Sequence, residues 1–379
     1  MTRLRSPSAT SAGAPRGAPP ERRPSTVLAL KIALGVCTIA ACALAIPNMV
    51  FGAGGSAPRP DGRPPSDSSP LFTLPWGDGE GQVGLLRPIE GLTRGPEALA
   101  AAADGRMAVL DSVNRRIVFL DRLGEYVGTA EVPLAEPRFL AVDDERLYVL
   151  DCHADRLLVT MDWSEVVLAT MPLPEFPDVI TGLFATSEGA CVEVAHDEVL
   201  LMDGARRSSS RGLAGRPVGH ALDEVVELAF APGAEARLTV YSVDKSTLTG
   251  RQRAHFAQPL APGYELEHVV SVDGDGNGGL IVGARISDRG AGAERRASLV
   301  LTRLAAGRNG QGGLHAPVDV GASDVLLLAD SSYAYLGQPY VVTPDGRVLQ
   351  PIGSDAGYSV FVHSFDQAGS PGRIMEVQP

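Results

Sequence analysis

From about residue 71 to residue 379, apolar positions fall in short runs broken by Gly, Pro, Asp and Asn. One stretch shows the pattern. "EALAAAA" (97–103) is followed by Asp-Gly, then "RMAVLD" (106–111), a polar corner, "RIVFLD" (116–121), a second turn and "EYVGTAEV" (125–132). Short alternating runs bounded by turn residues predict strands. Asp-Gly predicts a tight hairpin, because Gly accepts positive φ without steric cost. No long run with helical period follows residue 46, which excludes a βαβ architecture.

The stretch recurs. "VLD" at 109–111 returns at 149–151, Arg116 returns as Arg156, and Pro137 returns as Pro177, each forty residues on. The third unit (177–203) keeps the apolar pattern and lacks the Arg. Degenerate units follow at 224–244, at 267–286 with 295–304, and at 334–352 with 358–365. Repeats of this length built from alternating strands predict the blades of a β-propeller. The fold expected is therefore all-β, a six-bladed propeller over 71–379. A closed ring leaves no long exposed sheet edge, so residues 71–88 are expected to supply a strand to the last blade.

"GPEALAAAADGRMAVLDSVNRRIVFLD" (95–121) and, less closely, 136–162 resemble the NHL-repeat family of β-propellers. In that family a D…N.RI run ends one strand and starts the next. Here Asp111, Asn114, Arg116 and Ile117 match it. The second unit keeps Asp151, Arg156 and Leu157, with Ala154 in the Asn position. The resemblance covers residues 95–162. It implies a propeller scaffold, and related six-bladed propellers include lyases, lactonases and metal-dependent hydrolases.

Residues 1–25 are rich in Ser, Pro, Ala, Gly and Arg without apolar periodicity and read as a disordered segment. Residues 26–46 ("TVLALKIALGVCTIAACALAI") carry the single charge Lys31. This is the length of a membrane-spanning helix, which needs about 20 apolar residues. Arg3, Arg5, Arg16, Arg22 and Arg23 precede the span, and only Arg59 and Arg63 follow closely. The positive-inside rule then puts the N-terminus in the cytoplasm and the propeller outside, single-pass and periplasmic. Cleavage after "ALA" (43–45) as a secreted form, and a lipoprotein at Cys42, are the alternatives. Residues 47–70 form a Pro/Gly/Ser linker, a semi-extended spacer. The net charge is −12, and residues 1–69 hold eight basic against three acidic residues, so the rest carries −17. A body that acidic repels phosphate backbones, which excludes nucleic acid as a partner.

Candidate chemistry is sparse. "DGDGNGG" (273–279) matches the first half of a calcium loop, with Asp273, Asp275 and Asn277 as oxygen donors. Ala284 stands where a bidentate Glu would complete it, so an ordinary hairpin turn competes. No other cofactor is indicated. Asp111, Asn114, Arg116, Asp151 and Arg156 recur with the repeat and therefore read as scaffolding: Asp capping a corner, Arg bracing strands. Cys152 and Cys191, 39 residues apart, are open to a disulfide in an oxidising compartment, or to two free thiols. His153 and His196 sit at corners, open to a funnel-lining role. No nucleophile elbow or P-loop occurs. The innermost strands read as "EALAAAA", "RFLAV", "GLFAT", "ELAFA" and "VVSV", mostly apolar. That favours a binding or scaffold module for a protein, peptide or glycan over an enzyme with an axial metal or polar site. A charged funnel would reverse the order.

Overall fold

The computed structural model describes residues 69–365, apart from 176–178, 196–197, 204–205, 209–215, 219–223, 230–236, 245–248, 258–263, 276–278, 289–296, 305–323 and 329–333. All of these lie in the unit Gly54–Pro379. Residues 1–25 and 26–46, and all but the end of the linker at 47–70, lie outside the described residues. Among the described residues no helix is long and apolar enough to cross a membrane.

The strands follow the expected spacing. After β1 (Phe72–Leu74) comes a first sheet of β2 (Ala98–Ala101), β3 (Met107–Asp111), β4 (Arg116–Leu120) and β5 (Tyr126–Glu131). The second holds β6 (Phe139–Val142), β7 (Arg146–Asp151), β8 (Leu157–Asp162) and β9 (Val167–Pro172). The third holds β10 (Ile180–Thr186), β11 (Gly189–Val194), β12 (Glu198–Asp203) and β13 (Arg206–Ser208). The fourth holds β14 (Arg216–Val218), β15 (Glu224–Ala229), β16 (Arg237–Asp244) and β17 (Thr249–Ala257). The fifth holds β18 (Tyr264–Gly274), β19 (Leu280–Asp288), β20 (Ala297–Leu304) and β21 (Asp324–Leu328). The sixth joins β22 (Val341–Val342), β23 (Val348–Ser354) and β24 (Gly357–His363) to β1. Each sheet is an antiparallel meander, and the fold is an all-β propeller.

Local chemistry sets the turns. Gly105, in the Asp-Gly turn, has φ +89°, a region that favours glycine. Asp121 Oδ1 accepts from the backbone N–H of Leu123 and Glu125, and Asp162 Oδ1 does the same for Ser164 and Val166. These side-chain turns fix the same outer hairpin in two successive units.

Packing runs from sheet to sheet. Leu110, Ile117 and Phe119 of the first pack with Leu140, Val149 and Met161 of the second. Tyr148 and Leu150 of the second meet Leu183 and Val192 of the third. Ile281 and Leu301 of the fifth meet Tyr340 and Val348 beside and within the sixth. Leu349, Tyr358 and Val360 of the sixth meet Leu99, Val109 and Val118 of the first, so the order is cyclic. The N-terminal strand closes it. β1 pairs antiparallel with β24, Phe72 opposite Val360, and Trp76 Nε1 donates to the Ser354 carbonyl at 2.7 Å. First and last sheets are also joined by backbone bonds between Thr93–Gly95 and Tyr335.

Two sequence readings need correction, and of the two alternatives for the cysteines the free thiols are the one found. The fourth inner strand is β14, "RPV", not "ELAFA"; the latter lies in and beside β15, the second strand of its sheet. Arg156 is not the counterpart of Arg116. Asp111 pairs across its corner with Arg116, whereas Asp151 pairs with Leu157, one residue further on. Arg156 (φ 53°) instead matches Arg115 (φ 54°), and the carbonyls of both accept from the segment after the fourth strand, from Leu173 and Val132. Cys152 and Cys191 are both free thiols. Cys152 follows β7 in a corner, while Cys191 is mid-strand in β11 opposite Phe184 and Leu201, so their spacing does not make them equivalent. Burial pushes the Cys191 thiol up to about 12.

His363 on β24 is hydrogen-bonded to Gln350 Oε1 at 3.0 Å, and burial lowers its pKa from 6.5 to about 4. The folded state therefore resists a proton that the unfolded chain accepts. Stability contributed by the neutral ring is complete above pH 6.5 and is lost as pH falls towards 4, by at most ~3 kcal/mol. Urea unfolding at pH 7 and pH 4.5 should show a smaller acid loss in His363→Gln than in the wild type. Equal losses would rule His363 out as the source.

Candidate functional site

A cavity of about 400 Å³ lies where the inner strands converge. Every sheet contributes to its wall: Ala98 from β2, Phe139 from β6, Thr181 from β10, Arg216 from β14, Asp273 from β18 and Val341 from β22. The inner strands are mostly apolar, but Arg216 on β14 and Asp273 on β18 bring charge into the funnel. Arg216 went unread because its strand is three residues long and contains Pro217, too short for alternation to show.

Two polar groups are built into the wall. Arg216 donates from Nε to Glu193 Oε1 and from Nη2 to Glu193 Oε2, both at 3.2 Å. Such a fork-to-carboxylate pair fixes orientation as well as charge. Glu193 is nearly fully buried and also accepts from Thr181 Oγ1 at 2.9 Å. The guanidinium lies over the Phe184 ring, 5.3 Å from its centroid. Burial acts to lower the Arg216 pKa, but the attraction and hydrogen bonds of Glu193 outweigh it and hold it above its ordinary value.

Ser271 Oγ donates to Asp273 Oδ2 and is hydrogen-bonded to the Tyr340 hydroxyl. Burial pushes the Asp273 carboxyl above the ordinary carboxylate range, against the opposing pull of the Ser271 bond and Arg216. Burial, reinforced by the Asp273 charge, raises the Tyr340 phenol, which keeps its proton. The wall thus offers a locked cation beside a hydrogen-bonded chain of oxygens.

Glycines make room for this arrangement. A Cβ on Gly283 of β19 would sit 1.7 Å from the Tyr340 hydroxyl. One on Gly337 would sit 2.5 Å from the Glu97 carbonyl. Glu97, also in the wall, is held by Arg94.

The sequence-singled residues separate. Asp273 faces the axis. Asp275 is occupied elsewhere, accepting from Gly279 N at 2.6 Å and Arg303 Nε at 3.0 Å. Asn277 lies outside the described residues, as does His196. Asp275 thus closes a hairpin and braces a strand, while Asp273 turns to a different network. Among the described residues no three His, Cys, Asp or Glu gather to hold a metal ion.

Asp111 accepts from Gly84 N, Asn114 N, Asn114 Nδ2 and Arg116 Nε at 2.8–3.2 Å. Arg116 in turn donates to the carbonyls of Asp78, Gly79 and Gln82. Both are taken up in pinning the segment that links β1 to β2. Asp151 accepts from His153 N, Ala154 N and Glu136 N, and Arg156 donates to the Pro174 carbonyl.

No family model matches the chain, and no curated protein matches it. Among solved structures, hydrazine synthase of Kuenenia stuttgartiensis is similar at TM-score 0.42 and 15% identity, over 68% of this chain and 74% of that one. A streptogramin B lyase is similar at 0.37 and 11%, over 71% and 93%. Virginiamycin B lyase of Staphylococcus aureus is similar at 0.39 and 8%, over 71% and 94%. At these scores the likenesses carry no argument about activity, and the fold rests on the strand order.

Proposed function

We propose that this chain is a six-bladed binding propeller whose ligand enters the axial cavity. The six four-stranded sheets are its blades, with β1 completing the last. Residues 26–46 hold it to the cytoplasmic membrane, with the propeller on the outer side and residues 47–70 as spacer.

The observation that carries this reading is the convergence of all six inner strands on one cavity holding both Glu193–Arg216 and Ser271–Asp273–Tyr340. Ligand sites are concave and carry a few convergent polar groups. Ionisable groups gathered in a cleft cost stability and mark functional sites more often than scaffolding does. A protein-docking face would instead concentrate exposed apolar area. Among the described residues the large exposed apolar side chains fall in several separate stretches of the chain, among them Val166, Val167 and Leu168 at β9 and Ile89 and Leu92 in the loop before β2.

The funnel carries charge, which favours a second reading, an enzyme, but Arg216 and Glu97 are tied up in ion pairs with Glu193 and Arg94, so binding stays first. Asp273 is a carboxyl with a raised pKa, linked through Ser271 to a phenol, an arrangement suited to general acid catalysis.

Melting of the full chain in detergent against sugars, polyols, organic acids, peptides and calcium tests the binding reading. A small ligand at a hundred times its dissociation constant should add about 2.7 kcal/mol of stability. Stabilisation by protein partners, with none from any small molecule, would overturn it.

A further inference from the structure

Within that axial reading, the wall also says what kind of ligand it takes. We propose that the cavity binds a small hydroxylated organic carboxylate, anchored by Arg138 at the entry to β6.

The first support is charge. Of the charged side chains that line the wall, Arg216 is paired with Glu193, Glu97 is paired with Arg94, and Asp273 accepts from Ser271. Arg138 lines the same cavity, is exposed, and has no carboxylate within ion-pairing distance among the described residues. Arg138 is thus the lining guanidinium left open to a ligand. A cation in a concave, low-dielectric wall attracts an anion more strongly than it would at an open surface.

The second support is the chemistry opposite. Tyr340 and Ser271 present hydroxyls and Gln338 presents an amide, whose Oε1 is taken by Leu99 N. Gln338 Nε2 and the hydroxyls match ligand hydroxyl groups, and Phe139 and Phe184 give apolar area for a carbon frame. One free guanidinium matches a planar carboxylate through two parallel N–H donors. A phosphate would call for more positive charge or a cradle of backbone N–H groups.

The test uses matched pairs on the full chain in detergent, followed by calorimetry: glucuronate against glucose, gluconate against sorbitol. Only the anion of each pair should bind, more weakly as salt rises. Arg138→Gln should weaken binding about tenfold or more, and Arg138→Lys should restore part of it. Inorganic phosphate should not compete. Because Arg138 is exposed, the Gln variant should melt with the wild type, and the salt dependence reads the same point without a variant. Equal binding of the neutral members, or an affinity insensitive to Arg138→Gln, would overturn the anion assignment while leaving axial binding in place. Phosphate competing as well as the acids would overturn the carboxylate. No binding by any pair overturns this inference, and the axial reading falls with it only if the broader small-molecule panel is silent too.

Discussion

Glu193→Ala is expected to cost about 3–5 kcal/mol, because it leaves the Arg216 guanidinium inside the molecule without its carboxylate. The side chains of Arg216 and Glu193 are 14% and 2% exposed, so little water reaches either. Thr181 Oγ1 loses its acceptor at the same time. Asp273 is the nearest remaining source of negative charge. Its pKa should be drawn downward in the variant, favouring the carboxylate, which places the cost towards the low end of that range. The loss does not measure what the pair contributes. Two charges brought out of water together roughly offset their own attraction, so removing both should be mild. Glu193→Leu with Arg216→Met should therefore recover most of the loss, and Glu193→Gln should fall between. Urea midpoints at pH 7 read all four proteins. Glu193→Ala as stable as the wild type would show that Arg216 reaches solvent and that the pair is not part of a closed wall.

Asp111→Ala is expected to be comparably damaging, at about 4 kcal/mol, since each buried donor left without a partner costs about 1–3 kcal/mol. Asp111 is fully buried, and four donors converge on it: Gly84 N, Asn114 N, Asn114 Nδ2 and Arg116 Nε. Through Arg116 and Asn114 it also fixes the segment 77–84, which carries the chain from β1 in the sixth sheet to β2 in the first. The damage should be local to ring closure. Backbone amides of β1 and of Gly77, Val83 and Gly84 should lose hydrogen-exchange protection before those of β7 or β11 do. Asp151→Ala is the control, because Asp151 accepts from three backbone N–H groups and holds no closing segment. It should cost about half as much and leave β1 protected. Uniform loss of protection across all sheets in Asp111→Ala would sink the closure role.

The sequence by itself determined the strands, the forty-residue unit, the propeller class and the need for an N-terminal strand to close the ring. Those features are local. Alternation, Asp-Gly turns and Asp-capped hairpins act within a few residues, so "RMAVLD" and "RIVFLD" announce β3 and β4 unaided. The Asp111 cluster was half legible: the repeat pointed to scaffolding, but not to Gly84 and the closing segment as what it holds. A one-residue difference between two corners was enough to mispair Arg116 with Arg156, because a fixed forty-residue offset hides a shift in strand register. Only the tertiary structure decided the site. Thr181, Glu193, Arg216, Ser271 and Tyr340 come from segments spread over some 160 residues, and each alone reads as one polar residue in an apolar run or a short loop. They meet because the ring brings the inner strands to a common axis, with Glu193 reaching in from β11 behind β10 and Tyr340 from just before β22. Asp273 shows the point most plainly. Its neighbours suggest a calcium loop, yet its carboxyl turns to Ser271 and the axis while Asp275, two residues on, closes a hairpin against Arg303. Which of two nearby aspartates reaches the cavity depends on what packs behind each, and that partner is set by distant chain.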